Sequence, residues 1–156
     1  MKVLACLDRS DQAPRVLENA LELATWQKAE LVFVTVVEDF IDFGEGVSTD
    51  FQDMLRSEGR KVLDLALARA RDTGVAARAV LEEGPSAADA ILALAEEEHP
   101  DVIVMGSRAK SGLDRFLIGS VASKVVTHAF CSVLVLRWGE PPKRNRPAPA
   151  EDGFPA

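Results

Sequence analysis

Five short apolar runs, each separated from the next by a stretch with helical spacing, restrict what this chain can fold into more than any single residue does. The runs occupy residues 2–7, 31–37, 76–81, 101–105 and 132–136, and the second reads LVFVTVV. The first two show little alternation of apolar with polar residues, as expected of strands covered on both faces. Between the runs, Leu17, Ala20, Leu21 and Ala24 recur at helical intervals. So do Leu55, Val62, Leu63, Ala66 and Ala70 within residues 50–72, then Ala87, Ala90, Ile91, Leu94 and Ala95, then Val121, Ala122, Val125, Val126 and Ala129. Five strands alternating with four helices predict an α/β fold: a three-layer αβα sandwich around a five-stranded parallel sheet, joined by right-handed crossovers. In such a doubly wound sheet, ligands bind where the winding reverses, at the carboxyl ends of two adjacent strands.

Local signals set the expected boundaries. Ser10 is placed to cap the first helix and Pro14 suits its first turn. Thr49 and Gln52 have capping-box spacing, and Gly74 ends the long helix they open. Ser86 caps the third helix with Asp89 behind it, Glu96, Glu97 and Glu98 form its solvated end, and His99-Pro100 stops it. Trp26 is expected to pack. Residues 38–48 are acidic, carry Gly44 and Gly46, and read as a flexible loop with Phe40, Ile41 and Phe43 able to fold back onto the body, either a surface loop whose apolar residues patch the core or a lid over the site.

A length of 156 residues fits one domain, expected over residues 1–138, with a proline-rich tail over 139–156 read as disordered. The net charge is −7 and the pI about 4.9, which argues against a surface that coats nucleic acid. A nucleotide is compatible with that charge, because a few backbone N–H groups hold phosphate without a broad basic field. No apolar run approaches a membrane span and no signal peptide precedes the first strand, so the expected address is cytoplasmic. Cys6 and Cys131 lack metal or redox spacing and read as buried free thiols.

The stretch that carries chemistry is GSRAKSGLDRFLIGS, residues 106–120, between the fourth strand and the fourth helix. A strand, a small-residue loop and a helix start form an anion-binding device, since the first helical N–H groups are unpaired and the dipole adds positive potential. Gly106 and Gly119 let a phosphate approach the backbone, and Ser120 is placed to cap the helix and to donate its hydroxyl. The same residues also suit a plain connection whose glycines serve only turns, and the pattern alone leaves both readings open.

Gly106, two residues, Ala109, nine residues, then Gly119-Ser120 resembles the G-2x-G-9x-G-S/T signature of the universal stress protein family. The opening strand ending in Asp8-Arg9-Ser10 resembles that family's first strand and D-x-S turn, and Cys131 to Arg137 resembles its last strand. The match covers roughly residues 2–137, with two departures: Ala109 replaces a motif glycine, and Ser132 stands where proline is common. The resemblance implies strand order 3-2-1-4-5 in an adenine nucleotide α-hydrolase-like (HUP-like) fold, and binding of ATP, with or without magnesium. It implies that Asp8 and the backbone of Cys6 and Leu7 approach the adenosine, and that Val36 packs against the adenine. It also implies that Gly106, Arg108, Ala109, Gly119, Ser120 and Val121 surround ribose and phosphates. Asp8 suits a magnesium ion held through water, and equally the capping of its own turn. Ala109 is tolerated if its φ is negative and strained if it is positive.

The equipment for catalysis is thin. His99 lies at the wrong end of the fourth strand, His128 lies at the far end of the fourth helix, and no P-loop lysine pattern occurs. At most slow ATP hydrolysis is expected, with no catalytic residue assigned. Two functions of different class remain: a nucleotide-binding stress-response sensor or regulator, and a dimeric interaction module of the same fold with no nucleotide. The last strand, with Val133, Leu134, Val135 and Leu136, becomes an exposed apolar edge in the implied order and is expected to pair with its own copy in a homodimer. Protein partners are unspecified.

Overall fold

The computed structural model of the chain describes residues 1–38, 49–107 and 118–137. Strand β1 (Lys2–Cys6) leads through a short turn to helix α1 (Ala13–Gln27), followed by β2 (Glu30–Glu38), α2 (Thr49–Thr73), β3 (Ala77–Gly84), α3 (Ala87–Glu98), β4 (Val102–Gly106), α4 (Ser120–His128) and β5 (Ser132–Leu136). All strand pairs are parallel, in the order β3-β2-β1-β4-β5. This is the expected doubly wound sheet. Phe40, Ile41 and Phe43, in the loop read as a core patch or a lid, and the tail expected to be disordered, lie outside the described residues.

Alternate residues of each central strand feed two cores. Val3, Ala5, Leu31, Phe33, Val102 and Val104 pack beneath α1 and α2. Leu4, Val32, Val34, Ile103 and Met105 pack beneath α3 and α4 on the other face. With both faces covered, these strands have no solvent side to mark with polar residues, which is why they read as continuous apolar runs.

Register fixes which strand ends meet. Cys6 lies beside Met105 on one side and Val34 on the other. The connections run β1 to β2 to β3 toward one edge, then return to β4 and β5 on the other side of β1. The winding therefore reverses between β1 and β4, and a crevice opens at their carboxyl ends.

Several local expectations need correction. Ser10 does not cap α1: the cap position is Gln12, and the Ser10 hydroxyl instead accepts from Gln12 N–H at 3.3 Å within the turn. Ser120 is the first helical residue of α4 and Gly119 occupies the cap position. Thr49 lies within α2 rather than before it. Trp26 is 82% exposed and packs little, because it lies on the solvent face of α1 opposite Leu17, Ala20 and Leu21. Glu98 is not solvated; Lys2 and Arg78 bind its carboxylate at the end of the helix. Ser86 does cap α3, accepting from Asp89 N–H at 3.3 Å. Cys6 and Cys131 are both free thiols, and both are partly accessible rather than fully buried.

Candidate functional site

The crevice holds a cavity of about 410 Å³. Its floor comes from β1 and β4, through Cys6, Leu7, Met105 and Gly106, and one wall comes from Val34 to Glu38 of β2. The starts of two helices close it: Ala87 and Ile91 of α3, and Gly119, Ser120, Val121 and Ala122 at α4.

The β1–α1 turn is built by Asp8. Its Oδ1 accepts from Ser10 N–H at 3.0 Å and from the Ser10 hydroxyl at 2.5 Å, which fixes Asp8 and Ser10 at the rim. One residue earlier, Leu7 is anchored twice to β2. Its N–H donates to Val34 C=O at 2.8 Å, and its C=O accepts from the buried Thr35 hydroxyl at 2.9 Å. Thr35 is 2% exposed, and its hydroxyl meets the otherwise open carbonyl where β1 leaves the sheet.

The two helix starts differ in a way that orients any ligand. At α3, Ala87 N–H donates to Glu38 Oε1 at 3.0 Å and Asp89 N–H donates to Ser86 Oγ at 3.3 Å, so this terminus is already served by oxygen. At α4, Gly119 makes no side-chain cap hydrogen bond. The start of α4, Gly119 to Ala122, lines the cavity, and the unpaired first N–H groups and the dipole of a helix start favour an anion there. Gly119 has φ −56° and ψ 154°, a conformation open to any residue. Its use is therefore the space a missing side chain leaves, and not a left-handed backbone.

Electrostatics agree with that division. Among the described residues lining the cavity, Asp8 and Glu38 are acidic, and Arg9 is bound to Glu58 at 2.5 Å. Cys6 lines the cavity and is partly accessible as a residue, but the desolvation of its sulfur pushes the thiol up to about 12, so it stays protonated at neutral pH and is a poor nucleophile.

The structure thus gathers Cys6, Leu7, Asp8, Val36, Gly106, Gly119, Ser120 and Val121 around one cavity. Arg108 and Ala109 lie outside the described residues. His99 and His128 stand apart from it. His99 closes α3 with φ 50°, and His128 Nδ1 lies 3.0 Å from Lys124 C=O in the last turn of α4. Sequence reasoning missed Thr35, Glu38 and the start of α3. Glu38 looked like the first residue of an acidic loop, and only its pairing with Gly84 in the β2–β3 register carries it to the α3 terminus.

Comparison with known proteins gives a consistent answer. The family model described as "Universal stress protein family" matches residues 1–137. A universal stress protein of Methanocaldococcus jannaschii is 33% identical over 139 residues, covering 87% of this chain and 81% of the relative. A crystal structure of a protein from the same family from Burkholderia pseudomallei superposes with a TM-score of 0.74 at 36% identity, covering 88% of this chain and 96% of the other. A universal stress protein of Archaeoglobus fulgidus, solved in complex with dAMP, superposes with a TM-score of 0.63 at 26% identity, over 86% of this chain and 96% of that one. On the sheet order, the crevice and these matches together, the chain belongs to the universal stress protein family.

Proposed function

We propose that the protein binds ATP or a related adenine nucleotide in the crevice between β1 and β4 and acts as a stress-response sensor or regulator. The observation that carries this is the contrast between the two helix starts: among the described residues no side chain caps the start of α4, while the α3 terminus is served by Glu38 and Ser86. A nucleotide laid across the cavity puts its phosphates against Gly119, Ser120 and Val121, its ribose over Gly106, and its base against Val36 and Ile91. Arg108 and Ala109, by the family signature, complete the phosphate side. The dAMP complex of the Archaeoglobus fulgidus relative supports the ligand class.

The donor set fits the group. Backbone N–H groups and one hydroxyl suit phosphate oxygens, and apolar walls suit a base. Among the described residues no cluster of three or more His, Cys, Asp or Glu side chains could hold a metal, so magnesium would arrive with the phosphates and meet Asp8 through water. The thiol of Cys6 is held protonated, and at most slow hydrolysis is assigned. No helix among the described residues is long and apolar enough to cross a membrane, and we assign a cytoplasmic address. A homodimer through the open edge of β5 is part of the same proposal.

Mass spectrometry of the denatured purified protein tests the ligand. A stoichiometric adenine nucleotide is expected. Protein free of nucleotide that also takes up none when it is supplied at millimolar concentration would favour an interaction module of the same fold instead.

A further inference from the structure

We propose that Glu38 sets the identity of the base, selecting 6-aminopurines over 6-oxopurines, an assignment that rests on nucleotide binding in this crevice. Glu38 ends β2, lines the cavity, and belongs to its α3 side together with Val36, Ala87 and Ile91. One carboxylate oxygen, Oε1, is committed to Ala87 N–H at 3.0 Å. The other has no hydrogen-bond partner among the described residues. A carboxylate is an acceptor only. It therefore repels phosphate from this end of the cavity and leaves the phosphates to the open start of α4.

The same carboxylate discriminates among bases. A 6-amino group donates a hydrogen bond and matches the remaining oxygen. At position 6 itself an oxo group presents an acceptor to an acceptor, so the remaining oxygen finds a donor only by shifting to N1–H, away from the place that a 6-amino group fills. Guanine is most strongly read by a carboxylate through a fork, with both oxygens taking its N1–H and 2-amino protons. That fork is weakened at Glu38, because Ala87 N–H already occupies one acceptor site of Oε1 and fixes its orientation. The helix cap thus leaves Oε2 as the freer acceptor of the two.

The test compares AMP with inosine monophosphate, which differ at the 6-position, on the native full-length chain and on Glu38→Gln. The amide oxygen of glutamine keeps the bond from Ala87 N–H, and its NH₂ replaces the acceptor by a donor. Calorimetric titration of the native chain is expected to favour AMP by about tenfold or more, as one hydrogen bond to a charged group implies. Glu38→Gln is expected to bring the two affinities together or invert them. Glu38→Asp, which keeps the charge but withdraws it by one methylene, is expected to weaken AMP without any gain for inosine monophosphate. Thermal denaturation of each variant reads folding independently of binding. An unchanged AMP preference in the folded variants overturns the role of Glu38 and leaves the nucleotide site standing. Failure of the native chain to bind either nucleotide removes the site itself, and this inference with it.

Discussion

Glu98 shows how much one side chain does in this fold. It ends α3, yet its carboxylate is bound by Lys2 of β1 at 3.1 Å and by Arg78 of β3, and it is only 17% exposed. Arg78 foremost, with Lys2, holds its carboxyl below the ordinary value of 4.5, against the opposing effect of partial burial. A folded-state pKa below the unfolded one gives stabilisation that is whole above about pH 4.5 and is lost as pH falls through the lower folded value. Glu98→Gln is therefore expected to lower stability at pH 7 by about 1 kcal/mol, since the cations remain partly exposed, and to have little effect near pH 2. Urea denaturation of both proteins at the two pH values checks this; a difference that persists in acid would contradict it. Glu96-Glu97-Glu98 read as a uniform solvated run because the partners of Glu98 sit 20 and 96 positions away in the chain, where no local pattern reaches.

Among the elements, α2 packs tightly on the sheet at Gly59. A Cβ there would stand 2.9 Å from Leu81 Cδ1 and 3.3 Å from Thr35 Cγ2. Thr35 in turn holds the Leu7 carbonyl beneath the cavity, so helix packing and the site share a residue. Gly59→Val is expected to destabilise by about 1–3 kcal/mol through overpacking, seen as a lower urea midpoint. An unchanged midpoint would mean that α2 shifts freely. The strands that were plainest in the sequence are those covered on both faces, β1, β2 and β4. Strand β3 runs to Gly84, beyond the residue 81 expected, because Glu82 and Glu83 pair with Val36 and Val37 while remaining polar, as an edge strand permits. The end of α3 was legible because His99-Pro100 announces it, but that of α1 was harder to place, since Lys28 takes the left-handed conformation at φ 52° with no glycine to announce it. The α4 half of the site was legible because glycine and serine spacing is local. The Glu38 half was not, because it depends on strand register.

At the scale of the whole molecule, the sheet has one covered and one open problem. The β4 side of β5 is paired, and among the described residues nothing pairs with its outer edge, with Leu134 41% exposed. Bare apolar edges invite pairing, and pairing with an identical strand about a two-fold axis closes the assembly. Light scattering of the native chain at tens of micromolar is expected to give a dimer, and Leu134→Lys a monomer; a native monomer would remove the proposed interface. The central claim concerns the crevice, and calorimetric titration of the full chain with ATP and magnesium tests it most directly, run beside Gly119→Asp. The φ of −56° at Gly119 lets aspartate fold there without backbone strain, while its carboxylate enters the space assigned to phosphate. The account predicts saturable one-site binding to the native chain and none to the folded variant. Equal affinity in both, or no heat in either, would contradict it.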